Sequence, residues 1–105
     1  MAEASRLKLH EELCELLGSR AVYYQPPASL QLKYPCIVYS KAGIDKRNAN
    51  DRLYQMVYRF EIVVIEDDPD SDLIDRILLH FPMCSFDQSY VSDNLYHKSL
   101  TLYYY

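Results

Sequence analysis

Glycine is nearly missing: Gly18 and Gly43 are the only two in 105 residues. That scarcity excludes the glycine-rich loops that cradle phosphates and the glycine-flanked elbows that present a catalytic serine. No clustered acid, base and nucleophile stands out elsewhere, so the composition speaks against an enzyme. Cysteine is scarce too. Cys14, Cys36 and Cys84 are odd in number and widely spaced, which implies no disulfide framework. Each falls within an apolar pattern and reads as a small buried thiol. No apolar run is long enough to cross a membrane, and the opening MAEASRLKLHEEL is too polar for the centre of a secretory signal. A soluble protein made in a cytoplasm, without a membrane partner, is expected. A basic excess is also lacking. Eleven Lys and Arg stand against fifteen Asp and Glu, a formal charge of −4. A dedicated nucleic-acid binder would need a basic face for phosphates. Internal repeats and low-complexity tracts are absent, and the length supports one domain, residues 1–105, with one modest core.

What the chain does have is tyrosine: eleven, against no tryptophan. An apolar ring with a wet hydroxyl suits surfaces that are covered only when a partner arrives. Aromatics also fit a pleated, half-buried strand face, so each tyrosine has a second reading as an ordinary strand residue. The most informative stretch is Leu53–Glu66, LYQMVYRFEIVVIE. Its even positions, Tyr54, Met56, Tyr58, Phe60, Ile62 and Val64, form an unbroken apolar row. The odd positions are mixed. Period-two alternation without Gly or Pro predicts a half-buried strand. It is longer than the usual five or six residues, so part of it is expected to project and meet something else.

The remaining elements follow in order. Residues 4–17 predict a helix with Leu9, Leu13, Leu16 and Leu17 on one face, and Glu11, Glu12 and Glu15 facing away. Gly18 is placed to close it as a left-handed cap. Residues 21–24 are a short strand, stopped by Pro26 and Pro27, and residues 25–33 a loop. Residues 34–41 are a strand, with Ile37 and Tyr39 on one face and Cys36, Val38 and Ser40 on the other. Residues 42–51, AGIDKRNAND, read as a long polar hairpin tip rich in turn formers. After the long strand, Asp68 predicts a helix N-cap with Pro69 at the first helical position, and Leu73, Ile74, Ile77, Leu78 and Phe81 form the stripe. Pro82 ends that helix. Residues 84–91 and Leu95–Tyr104 are strands joined by a turn at residues 92–94. The predicted fold is α+β: a single, mostly antiparallel β-sheet of about five strands, a long β-hairpin, and two helices packed on one face.

Two stretches carry partial metal patterns. Asp68, Asp70 and Asp72 match the first ligands of a calcium loop, but Leu73 and Leu79 stand where its glycine and bidentate glutamate belong. The same aspartates are explained by a helix start. His10 and Cys14 are four apart on a helix, yet two more ligands would have to come from His80, Cys84 or His97, and no paired-ligand spacing exists. No cofactor and no metal are expected.

Three pieces taken together carry a family likeness: VYYQPP, YPCIVYSKAGID, and DRLYQMVYRFEIVVIEDDPDSDLIDRI followed by MCSFDQSYVSDNLYHKSLTLYY. They resemble the small tail terminator, or tail-completion, proteins of long non-contractile-tailed bacteriophages. The likeness runs from the first helix to the final strand. It is most specific in Tyr34-Pro35-Cys36-Ile37-Val38-Tyr39, in the acidic residues 67–71, and in the closing residues 91–104. The resemblance implies a structural virion protein of the neck. It would form a ring, commonly of six copies, at the head-proximal end of the tail tube. Such a ring ends tube polymerisation and joins the tail to the connector or stopper protein on the filled head. Its partners would be further copies of itself, the tail tube protein and that connector. Genomic DNA would pass through without specific binding, which an acidic balance suits. Assembly would take place in the host bacterial cytoplasm.

A closed ring needs contacts in which two different surfaces of one subunit meet. The expected contact residues are the hairpin tip, through Ile44, Asp45, Lys46, Arg47, Asn48 and Asp51, and the outer half of the long strand, through Tyr54, Tyr58 and Arg59. Tyr23, Tyr24 and Tyr103 are further candidates that a sheet core would explain as well. Two other readings stand beside the terminator: a head-completion or stopper protein of similar size, and a small accessory enzyme.

Overall fold

The computed structural model describes the backbone of residues 2–49 and 53–104, and the side chains of residues 6–44 and 57–104. In chain order the elements are α1 (Ala2–Leu17), β1 (Val22–Tyr24), β2 (Cys36–Ala49), β3 (Leu53–Glu66), α2 (Leu73–His80), β4 (Cys84–Ser92) and β5 (Leu95–Tyr104). The strands form one sheet in the order β1-β2-β3-β5-β4. Every neighbouring pair is antiparallel except β1 with β2, where Val22, Tyr23 and Tyr24 lie opposite Ile37, Val38 and Tyr39. The α+β architecture expected from the alternation is the one found. Both β3 and β4 run antiparallel to β5, so α2 connects two parallel strands with β5 between them.

The even positions of β3 from Phe60 to Val64 face the helices. Phe60, Ile62 and Val64 are buried there with Ile37 and Tyr39 of β2 and Leu100 and Leu102 of β5. Leu9, Leu13 and Cys14 of α1 and Leu73, Ile74 and Ile77 of α2 close the same cluster, which places both helices on one face. Each fully buried aliphatic or aromatic side chain contributes about 1.5–3 kcal/mol of transfer free energy. The opposite face is covered in part by residues 25–33. Pro26, Pro27, Leu30 and Leu32 lie across Val38, Val63 and Ile65, leaving a shallow apolar groove that ends at the stacked rings of Tyr90 and His97. A stretch expected only to be a loop therefore serves as a partial second layer.

Three further expectations are corrected. The polar residues 42–49 are strand, not tip. β2 continues past Lys41 to Ala49, and its turn formers pair with β3 from Gly43↔Arg59 to Ala49↔Leu53. A register shift between Lys41 and Gly43 absorbs the misfit. Pairing against a strongly alternating partner outweighs weak local propensity. The second helix starts at Leu73 rather than Pro69. Asp68 Oδ1 accepts the Asp70 N–H at 2.9 Å and Ser71 Oγ accepts the Leu73 N–H at 3.3 Å. These short side chains capture nearby donors and hold the acidic run in a turn. Phe81 is buried but already extended, one residue past the helix. Glu12, expected to face away, turns toward β5 and α2. Its carboxylate accepts the Tyr104 O–H at 2.6 Å and lies 3.4 Å from His80 Nε2.

Candidate assembly surface

β2 and β3 outrun the rest of the sheet. β1 pairs with β2 only as far as Tyr39, and β5 pairs with β3 only from Tyr58. Beyond those limits, from Asp45↔Val57 to Ala49↔Leu53, the two strands pair only with each other among the described residues. The result is a two-stranded ribbon on an elongated molecule with extents of 50 × 27 × 22 Å. Its radius of gyration, 14.6 Å, exceeds the roughly 13 Å usual for a compact domain of this length. A hairpin without a covering layer is marginal by itself in water.

The expected contact residues divide by position. Ile44 is 51% exposed and sits opposite Tyr58 at the base of the ribbon. Tyr58 is half-buried: one side packs against the core, and Lys41 Nζ lies 4.8 Å from its ring centre. Arg59 folds back along the ribbon root. Its Nη2 donates to the Ala42 carbonyl at 3.3 Å, and an added Cβ at Gly43 would lie 2.7 Å from that nitrogen. Asp45, Lys46, Arg47 and Asn48 occupy successive ribbon positions opposite Val57, Met56, Gln55 and Tyr54. The side chains of Asp45, Lys46, Arg47, Asn48 and Tyr54, and the whole of Asp51, lie outside the described residues. Ile44, Tyr58 and Arg59 are therefore brought together at the root. Of the further candidates, Tyr24 is half-buried against the core, its ring tilted against that of Tyr39 with centroids 4.9 Å apart and Arg6 Cζ 4.4 Å from the centre of the Tyr24 ring. Tyr23 is half-exposed beside Lys33 and Tyr34, and Tyr103 beside Lys8 and Met83.

Sequence reasoning gave residues 84–91 as a strand but missed that β4 is a candidate surface. It forms the far edge of the sheet, and every one of its residues but Cys84 is exposed. Phe86, Tyr90 and Val91 are large apolar groups left in solvent. Nothing in CSFDQSYVS marks an edge strand. Its place depends on β5 inserting between β3 and β4, which is a property of topology.

The polar side chains of the body act as fasteners. Tyr39 is buried under α1, where its hydroxyl donates to His10 Nδ1 at 2.8 Å and receives Arg6 Nη1 at 3.5 Å. Burial, with Arg20 and Arg6 nearby, holds the His10 pKa below its ordinary value, so the neutral acceptor form fits this bond. Burial and the Glu12 carboxylate push the Tyr104 hydroxyl up, which keeps it a donor. Burial raises the thiols of Cys36 and Cys84 to about 11, so both stay protonated near neutrality. Among the described residues no three His, Cys, Asp or Glu come together as a metal site. His10 lies on the helix-covered side with Tyr39, whereas His97 stacks on Tyr90 over the opposite face. No helix among the described residues is long and apolar enough to cross a membrane. No protein-family model matches the chain, and no curated protein matches it.

Proposed function

We propose that this chain is a structural subunit of a bacteriophage neck. Copies of it would assemble into a ring at the head-proximal end of the tail tube, end tube polymerisation and offer a surface to the head connector. The observation that carries this reading is the ribbon. One copy projects paired backbone beyond the limits of β1 and β5, with Val57 buried and Ile44 exposed at the base. A second copy or a tube subunit would pair with or pack on that projection. The resemblance to tail terminators, which spans the same segments, supplies the biological setting. An overall charge of −4 suits a bore that DNA must traverse without sticking. A bore lined by Lys and Arg would remove that part of the proposal.

Shortening the ribbon tests the reading. Replacing residues 47–55 by Asn-Gly leaves Lys46 and Met56 as the pair flanking a two-residue turn. All core residues among those described lie outside the excised segment. The variant is expected to keep the far-ultraviolet circular dichroism of the parent and to fail to form rings or to cap tubes. Electron microscopy of particles carrying it should show overlong or unjoined tails. Leaking heads with normal tails would point to a stopper protein instead. Normal rings and completed tails would overturn the proposal.

A further inference from the structure

The sheet has two bare edges, and they differ in kind. One is β4, nine residues long, with eight of them exposed. It has no proline, lysine or arginine, the residues that ordinarily guard an edge against pairing. A bulge between Phe86 and Gln88 is its sole irregularity. The other is the outer side of β2 beyond the end of β1. Near that end the edge is still occupied: Gln25 Oε1 accepts the Lys41 N–H, and Arg59 holds the Ala42 carbonyl. From residue 43 to residue 49 no strand pairs with the outer side of β2 among the described residues. Two free stretches of similar length therefore lie on opposite sides of the same sheet.

Their charges are opposite by sequence. The β2 stretch from residue 41 carries Lys41, Lys46 and Arg47 against one acid, Asp45. β4 carries Asp87 and no cation, and Asp93 follows in the turn. Their directions also agree. Three successive antiparallel pairings, β2 with β3, β3 with β5 and β5 with β4, leave β4 antiparallel to β2 within one copy. Through the registers Cys84 lies level with Lys41 and Tyr90 with Cys36, the part of β2 that β1 and Gln25 cover, so a neighbour's β4 meets residues 43–49 only where the strands run oblique to the ring axis, as they do in a closed barrel. Rotation about such an axis leaves each strand's sense along it unchanged, and β4 then meets β2 antiparallel, the pairing that is more stable per residue. The free edge of β3 at the ribbon would instead meet β4 parallel, and it faces the other way around the sheet.

We infer that β4 of one copy pairs with residues 43–49 of β2 in the next, so that the sheets join edge to edge into one closed wall. This rests on the ring reading and assigns the two surfaces that the ring requires. Each copy gives one edge and receives the other, which is the heterologous contact of a cyclic assembly. Main-chain hydrogen bonds supply attachment, as in strand addition generally. The opposed charges select β4 against β2 over either edge against itself.

Amide hydrogen exchange on the full chain, in dilute solution and in the assembled form, tests the inference. Val91, 64% exposed, provides the variants: Val91→Lys puts a cation on the acidic edge and Val91→Glu an anion, and neither disturbs the core. The expected result is that amides in residues 84–92 and in residues 43–49 both slow on assembly. At low salt, Val91→Lys should raise the concentration needed for assembly about tenfold or more, while Val91→Glu should not. Assembly in which β4 amides exchange as fast as in dilute solution would overturn the inference and leave the ring standing. Protection of β4 without protection of residues 43–49 would overturn it as well, since another partner then holds the edge. A chain that neither associates at any concentration nor caps tubes would overturn both this pairing and the ring.

Discussion

Tyr39 shows how single side chains are tied across layers. Its ring packs in the core against Tyr24 and Phe60, and its hydroxyl is held between Arg6 and His10 of α1. That arrangement uses neutral His10, so the unfolded chain binds a proton there more readily than the folded one. Stability from this group is fully present above the ordinary histidine value of 6.5 and is lost as pH falls below it. Urea denaturation between pH 7 and pH 5 is expected to show declining stability, and His10→Gln should flatten that decline. Glu66 is the opposite case. It is 3% exposed at the end of β3, and its Oε1 has no hydrogen-bond partner among the described residues. Replacing a buried, incompletely satisfied carboxylate with an apolar group of like length removes its desolvation cost. Glu66→Met is expected to raise stability by about 1 kcal/mol, read as a higher thermal midpoint. A lower midpoint would show that the carboxylate has a partner worth keeping.

Among the elements, α1 has the most thoroughly fixed end. Gly18 takes φ +83° and donates its N–H to the Cys14 carbonyl at 2.9 Å, as its position in the sequence predicts. Arg76 of α2 adds a fastening that no local pattern reveals, donating Nη1 to the Leu16 carbonyl at 2.7 Å and Nε to Asp72. A cation on the last carbonyls of a helix complements its dipole. No atom lies near the absent Gly18 Cβ, so Gly18→Ala probes backbone conformation alone. It is expected to cost about 1 kcal/mol in denaturant titration. The element level is also where sequence reading divides. Alternation in Leu53–Glu66, the leucine stripe of α1 and the Asp93–Asn94 turn, with φ +52° and +64°, are local signals and were readable. The extent of β2 and the start of α2 were not. In the first, a distant strand overrides the turn formers of residues 42–49. In the second, Asp68 and Ser71 spend their side chains on local donors before the helix begins.

At the scale of the whole molecule, fold class followed from periodicity, because two apolar helix stripes and one alternating sheet face leave few ways to bury one core. The candidate surface was only half legible. A strand too long for its domain announces a projection, and the ribbon is there. Its proposed counterpart β4 was readable as a strand but not as an edge, since an edge is defined by strand order and not by composition. The shortened-ribbon variant described above belongs to this scale. It should reduce the 50 Å long axis and leave the body unchanged, as small-angle scattering would show.

The register shift where β2 leaves the body has a geometric consequence. Seven strand residues beyond it make a lever about 20 Å long at the ordinary rise per residue, so a swing of roughly 10° at the fulcrum moves the far end through about 3–4 Å. In the proposed ring such errors would accumulate from copy to copy, and the loop would close only if the angle were right. Arg59, clasped to the Ala42 carbonyl beside a residue with no side chain of its own, sits at that fulcrum and would set the aim.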